Sequence, residues 1–314
     1  MLAHATTAVG ATPGSFKVNE TGAATYTIPI TVPPGTAGMA PTLSLNYNSQ
    51  SGNGPLGMGW SLGGLSAITR CPATTAQDGF KGGINYDGND RFCLDGQRLV
   101  LVAGSYGADG AEYRTETESY TRVISYGSAG NGPAWFKAWT KSGQIMEYGN
   151  TADSRIEAQG QATVRVWAVD KISDTKSNYI AVSYLEDNAN GEFNLSRIDY
   201  TGNAAAGVAP YASVQFSYKI RLDTNIGYKV GSILKSTKRI IGIKSYASTS
   251  LVKDFRLTYE QSPSTQRSRA HHSPQVSAFP IDFPVDLECL DVGHQFQQSF
   301  PKGFGAWVSV AFTS

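Results

Sequence analysis

The chain has 314 residues, 40% of them hydrophobic, enough to bury one large or two ordinary cores without help from metals or disulfides. A formal net charge of +1 with 16% charged residues argues against a basic field that gathers phosphates, so neither nucleic acid nor anionic lipid is an expected partner. No apolar run approaches the roughly 20 residues that a spanning helix needs.

With 34 Gly and 16 Tyr, and no amphipathic run of helical length, the composition points to short strands joined by tight turns. Residues 1–13 read as a Thr/Ala/Gly leader. Its Ala3-His4-Ala5 tripeptide resembles a cleavage site, but basic and apolar regions are missing before it, so an ordinary start and a secretion signal lost upstream both stay open. In Tyr26–Ile30 the residues Tyr26, Ile28 and Ile30 share one face. Pro29 on the other face, unable to donate to a ladder, marks an edge or a sheet start. Leu43–Tyr47 alternates in the same way and runs into the loop Asn48–Pro55.

Further along, hairpins follow one another. Trp135–Thr140 and Ile145–Gly149 flank the turn Lys141–Gln144, and Val164–Ile172 pairs with Tyr179–Tyr184 across Asp174–Asn178. Asp187–Gly191 is read as a turn, as is Thr201-Gly202-Asn203; Val214, Phe216 and Tyr218 then alternate. The fold class expected is all-β, a meander of hairpins forming large curved sheet strips. After residue 269 the alternation stops. Residues 270–314 read as an irregular divergent tail: a linker into a further region, a separate small element in which Trp307–Phe312 supplies a strand, or a truncated or out-of-frame end.

The most distinctive segment is Gly57-Met58-Gly59-Trp60-Ser61-Leu62-Gly63-Gly64-Leu65-Ser66-Ala67-Ile68-Thr69-Arg70-Cys71-Pro72. The glycines permit positive φ or close backbone approach, while Trp60 and Leu62 supply apolar surface suited to sealing a sharp corner of a sheet. A Trp that binds glycan or peptide is the competing reading. Together with Gly14–Val18, Leu43–Tyr47, Asp87–Leu99 and Gly143–Gly149, this segment resembles the N-terminal region of SpvB-type virulence proteins, shared with the B components of Tc insecticidal toxins and related to Rhs-type shells. The resemblance covers residues 10–269, which makes 14–269 the β-rich region. It implies a non-catalytic shell that encloses a toxic polypeptide and docks on a translocation channel, with other toxin-complex chains as partners. Its structural signature falls on Gly57, Gly59, Trp60, Leu62, Gly64, Leu65, Ile68 and Arg70. The expected location is outside the bacterium, after synthesis in its cytoplasm.

Chemistry is hard to place on this region. No histidine lies between His4 and His271, which removes the usual general base, and His271-His272 alone is a weak metal signal, so no cofactor and no metal are expected. SpvB-type proteins carry an ADP-ribosyl-transferring domain with Ser-Thr-Ser ahead of Glu-x-Glu. Here Glu116-Thr117-Glu118 precedes Ser248-Thr249-Ser250, so the two are read as a solvated strand face and a hairpin turn. Asp87, Asn89, Asp90 and Asp95 are turn formers rather than calcium ligands. Arg70 and Arg98 are read as surface or strand-pairing residues. Cys71 and Cys93 form a disulfide in an oxidising compartment or remain two thiols. The alternative function is a surface module whose exposed aromatics, Trp135 and Trp139 among them, contact carbohydrate or a host protein.

Overall fold

The computed structural model describes residues 14–271 and is built almost entirely of antiparallel strands. The readings for residues 1–13 and 272–314, including the Trp307–Phe312 strand and the His271-His272 pair, lie outside the described residues and side chains. The first unit is a four-stranded sheet of β1 (Ser15–Val18), β2 (Ala24–Ile30), β3 (Leu43–Asn48) and, past the two-residue strands β4 (Asn53–Gly54) and β5 (Gly57–Met58), β6 (Trp60–Gly63). Alternation sends Ile28 and Ile30 into the core and leaves Pro29 exposed. Strand β1 covers β2 only as far as Thr27, so Pro29 sits where β2 has a partner on one side alone.

The second unit closes on itself. Strands β7 (Ala67–Cys71), β8 (Arg91–Leu94), β9 (Gln97–Ala103), β10 (Glu112–Thr115), β11 (Arg122–Tyr126), β12 (Trp135–Trp139) and β13 (Ile145–Tyr148) pair each with the next. After β14 (Arg155–Glu157) comes β15 (Val164–Ser173), which pairs with β13 through Ile145↔Ser173 and with β7 through Trp167↔Ile68. Eight strands of the expected hairpin meander thus curve into an up-and-down barrel, and closure removes every free edge from the ring. Its interior is filled. Phe92 meets Tyr106 at 5.3 Å, Phe136 at 5.2 Å and Trp167 at 5.3 Å between ring centroids. Tyr113, Leu99, Val123 and Ile68 are fully buried beside them.

The third unit grows from the far end of β15. Its second half also pairs with β16 (Asn178–Asp187), and the meander continues through β17 (Glu192–Asn203), β18 (Ala212–Lys229), β19 (Ser232–Ala247) and β20 (Ser250–Arg256). Asp174 builds the first turn by accepting the amide protons of Lys176 and Asn178. The expected turn at Thr201-Gly202-Asn203 is a kink inside β17 instead: Thr201 has φ 81°, yet Asn203 still pairs with Asn178. Gly202 is there to admit the Tyr179 ring, which a Cβ would approach to 2.5 Å.

Strand β17 pairs with β18 only as far as Gln215, and β20 meets β19 only from Gly242 onward. Residues 217–241 are therefore a two-stranded ribbon running past the sheet. Its base is fastened by the buried Arg221, which donates to the Gly54 carbonyl and pairs with Asp223, while Asp223 accepts from Ser268 of β22 (Ser268–His271). Tyr259 of β21 (Thr258–Gln261) donates its hydroxyl to the Ile240 carbonyl on the same side.

Candidate assembly surface

The signature segment divides between two units. Trp60 and Leu62 lie in β6 opposite Tyr47 and Leu45, whereas Ile68 and Arg70 lie in β7 of the barrel. Gly64 turns the chain between them at φ +100°, and a Cβ there would lie 1.9 Å from the Thr42 carbonyl oxygen. Gly59, at φ +77°, leaves room for the Tyr47 ring, which packs 5.4 Å from that of Trp60. Trp60 is only 6% exposed, so it seals a corner and presents no face to a ligand. Gly57 passes close to the Ser268 carbonyl, and Leu65 packs against the core.

Arg70 is not at the surface. It points into the barrel, 3% exposed, and donates to Asp90 at 3.0 Å, the Val164 carbonyl at 2.6 Å and the Asn131 carbonyl at 2.8 Å. Its guanidinium lies 5.5 Å from the Trp167 ring and 5.8 Å from that of Phe92. Burial pulls its pKa down, against the opposing pull of Asp90. Every donor group that could reach a ligand is spent inside, so this is a structural ion pair. Arg98 is likewise buried, donating to Asp78 and to the Pro72 carbonyl. Burial raises the pKa of Asp78, but bonds from Arg91 and the Thr74 amide hold it below the usual carboxylate range.

The acidic turn is consumed in the same way. Asp90 accepts from the amides of Asn85 and Tyr86 besides Arg70, and Asp95 accepts from Ser66 and the Ala67 amide. Asp87 accepts from the Asn89 amide within the turn. No group of His, Cys, Asp and Glu suited to a metal occurs among the described residues. Glu116-Thr117-Glu118 lies on the connection after β10, not on a strand, and Ser248-Thr249 turns β19 into β20. The Cys71 and Cys93 sulfurs are joined across the adjacent strands β7 and β8.

Three surface features remain. A cleft of about 610 Å³ is lined by Glu147, Asn150, Asp170, Lys171, Tyr179 and Asn203. Burial, with Glu147 and Asp153 nearby, pushes the Asp170 carboxyl up to about 6. The aromatic wall of the cleft is already engaged, since Tyr179 packs over Gly202 and under Lys171. On the outside of the barrel the rings of Tyr126 and Trp135 stack at 4.2 Å, and Arg122 and Lys137 lie over Trp139 at 5.4 and 5.7 Å.

The third feature is an uneven distribution of charge. Residues 212–256 hold nine Lys and Arg against two Asp, and the rest of the chain holds 17 against 23 acids. Along the ribbon Ile220, Leu222, Ile226 and Tyr228 are 74%, 81%, 53% and 73% exposed. Apolar side chains on this scale mark a surface that something covers. A sliding count of charge would have located the basic segment from sequence alone.

Comparison with known proteins places this geometry. The model of the Salmonella virulence plasmid 65kDa B protein family, SpvB, matches residues 18–213. The mono(ADP-ribosyl)transferases SpvB of Salmonella typhimurium (strain 14028s / SGSC 2262) and Salmonella dublin are each 28% identical over 206 residues, 59% of this chain and 32% of theirs. The chain thus spans about a third of the length of these relatives. Among solved structures, TcdB2-TccC3 superposes with a TM-score of 0.68 at 19% identity, covering 87% of this chain and 16% of that one. The Photorhabdus luminescens Tc holotoxin pore gives 0.67 at 19% identity, covering 83% and 15%. The N-terminal domain of effector protein SpvB from Salmonella typhimurium strain LT2 gives 0.63 at 22% identity, covering 78% of this chain and 96% of that domain. The fold match therefore takes in nearly all of that N-terminal domain. With the family model covering well over half of its residues, the chain belongs to the SpvB family.

Proposed function

We propose that this chain is a non-catalytic wall section of a secreted toxin complex, which with further polypeptide encloses or delivers a toxic chain. The observation that carries the reading is the filled barrel interior. Phe92, Tyr113, Phe136 and Trp167 pack against one another there, with Arg70 over the rings of Phe92 and Trp167, so side chains occupy the space that a channel or reaction chamber would need. Support also comes from the open sheet: β20 has only β19 as a partner among the described residues, which leaves an edge for the sheet to be extended. The β-rich region of 14–269 then acts by assembly with other toxin-complex polypeptides and a translocation channel. The Cys71–Cys93 bridge suits a protein that works outside the bacterium.

Co-expression with the neighbouring toxin-complex polypeptides tests the reading. A wall section co-purifies with them and shields the enclosed chain from protease, and the purified protein neither hydrolyses NAD nor labels actin. Turnover of NAD, or a cargo that stays protease-sensitive in the complex, would overturn it. Carbohydrate recognition through Trp135 and Trp139 is the weaker reading, because both aromatic groups already stack or carry cations.

A further inference from the structure

The ribbon of residues 217–241 poses a physical problem. Two strands without a third neighbour are marginal in water, and this pair carries bulky apolar side chains in the open. Its base is held by Arg221, Asp223 and the contact of Glu192 with the Thr237 amide, and its β19 edge by Ser232 donating to the Gln159 carbonyl and the Lys235 amide donating to the Asn190 carbonyl, so the open face is that of β18. Farther out, Ile226 and Tyr228 stay exposed opposite Lys235 and Ile233. Lys219 and Lys229 form no salt bridge among the described residues, and both are exposed. The pattern is an apolar strip with cations set along it.

From this juxtaposition we infer that the ribbon is a docking arm for an acidic, strand-forming polypeptide surface, laid lengthwise along the exposed face of β18. Charge complementarity selects the partner, because residues 212–256 carry nine Lys and Arg against two Asp, and Lys219 stands exposed on β18 without a salt bridge. The distribution of the apolar side chains selects a protein wall over a bilayer. They are spread from Ile220 to Val230 along the length of the ribbon, with the most exposed, Leu222, near its base, whereas insertion into lipid would gather them at the Val230-Gly231 tip. The inference rests on the wall reading above and names the chemistry of one of its partners. Burial of the apolar strip supplies the affinity, and the lysines supply orientation and encounter rate.

The test uses the full chain and a labelled short peptide alternating Val and Glu, followed by fluorescence anisotropy. Binding is expected to weaken as salt rises, and to be weaker for peptides alternating Ser and Glu or Val and Lys. The double variant Ile220→Ser/Leu222→Ser should lose about tenfold in affinity, and Lys219→Glu/Lys229→Glu at least as much, with unchanged melting temperatures. Equal binding by either variant overturns the inference. So does binding confined to phosphatidylglycerol vesicles, or self-association in sedimentation that the same substitutions abolish, since these assign the arm to lipid or to a second copy. The two readings fail separately. A complex that co-purifies unchanged with the arm variants, while the peptide does not bind, removes the arm alone; peptide binding without any complex removes the wall.

Discussion

The barrel and the ribbon are built from the same antiparallel hairpins, yet one buries its apolar face and the other displays it. In the barrel, β15 returns to pair with β7, so each inward side chain meets others across a closed interior. In the ribbon no strand returns, and Leu222 is left 81% exposed in a strand whose other end carries the buried Val214. Closure therefore separates a part whose apolar side chains cover one another from a part whose apolar side chains stay exposed. Substitutions of similar size should have opposite consequences in the two places.

The largest effect belongs inside the barrel. Arg70→Ala leaves the Asp90 carboxylate buried without its cation, which costs about 3–5 kcal/mol and should appear as a large drop in the urea midpoint. Arg70→Lys should recover little, because one ammonium cannot serve Asp90, Val164 and Asn131 together. Loss of the bridge comes next. It closes a separation of 22 residues between Cys71 and Cys93, so Cys93→Ser should cost about 3 kcal/mol, and reductant should lower the wild-type melting temperature but not the variant's. At the corner, Gly64→Ala forces a Cβ into the Thr42 carbonyl at a φ of +100°, for about 1–3 kcal/mol in the same assay.

Much of this comparison was legible in the sequence, and its limits have physical causes. Period-two alternation placed β2, β3, β12 and β13, and Gly/Asn turns separated them, because both signals are local. Closure was not legible, since alternation says which residues face inward but not which distant strand lies beside them. Ile68 and Trp167 are neighbours with nearly a hundred residues between them. Arg70 was misplaced because its charge outweighed its parity: it shares the inward face of β7 with Ile68, and a nearby carboxylate, Asp90, was available to it. The ribbon fails in the opposite direction. Ile226 and Tyr228 alternate as a core face would, but no opposing layer exists among the described residues.

A pH titration tests the seam where β15 leaves the barrel and pairs with β16. Burial raises the Asp170 carboxyl to about 6, and burial with Glu157 and Asp153 nearby raises that of Glu186 to about 7. A carboxyl raised in the folded state contributes stability that is fully present below its unfolded value and is lost as pH rises through its folded value. The chain should therefore become more stable as pH falls from 7.5 towards about 5. Asp170→Asn should flatten that slope and gain about 1–3 kcal/mol at pH 7.5. A slope of opposite sign would mean that neighbouring cations, not burial, govern this seam.

The smallest effect is the sharpest test of the comparison. Ile220→Ser and Leu222→Ser remove apolar surface that the folded chain does not bury, so each should change stability by less than about 0.5 kcal/mol. A comparable truncation in the barrel, Leu99→Ala, should cost about 2–5 kcal/mol because Leu99 is fully buried among its neighbours. Denaturant midpoints of the three variants, measured side by side, decide the matter. If the ribbon variants lose as much as Leu99→Ala, then the ribbon is covered within the chain itself, and its apolar strip belongs to the core rather than to a partner.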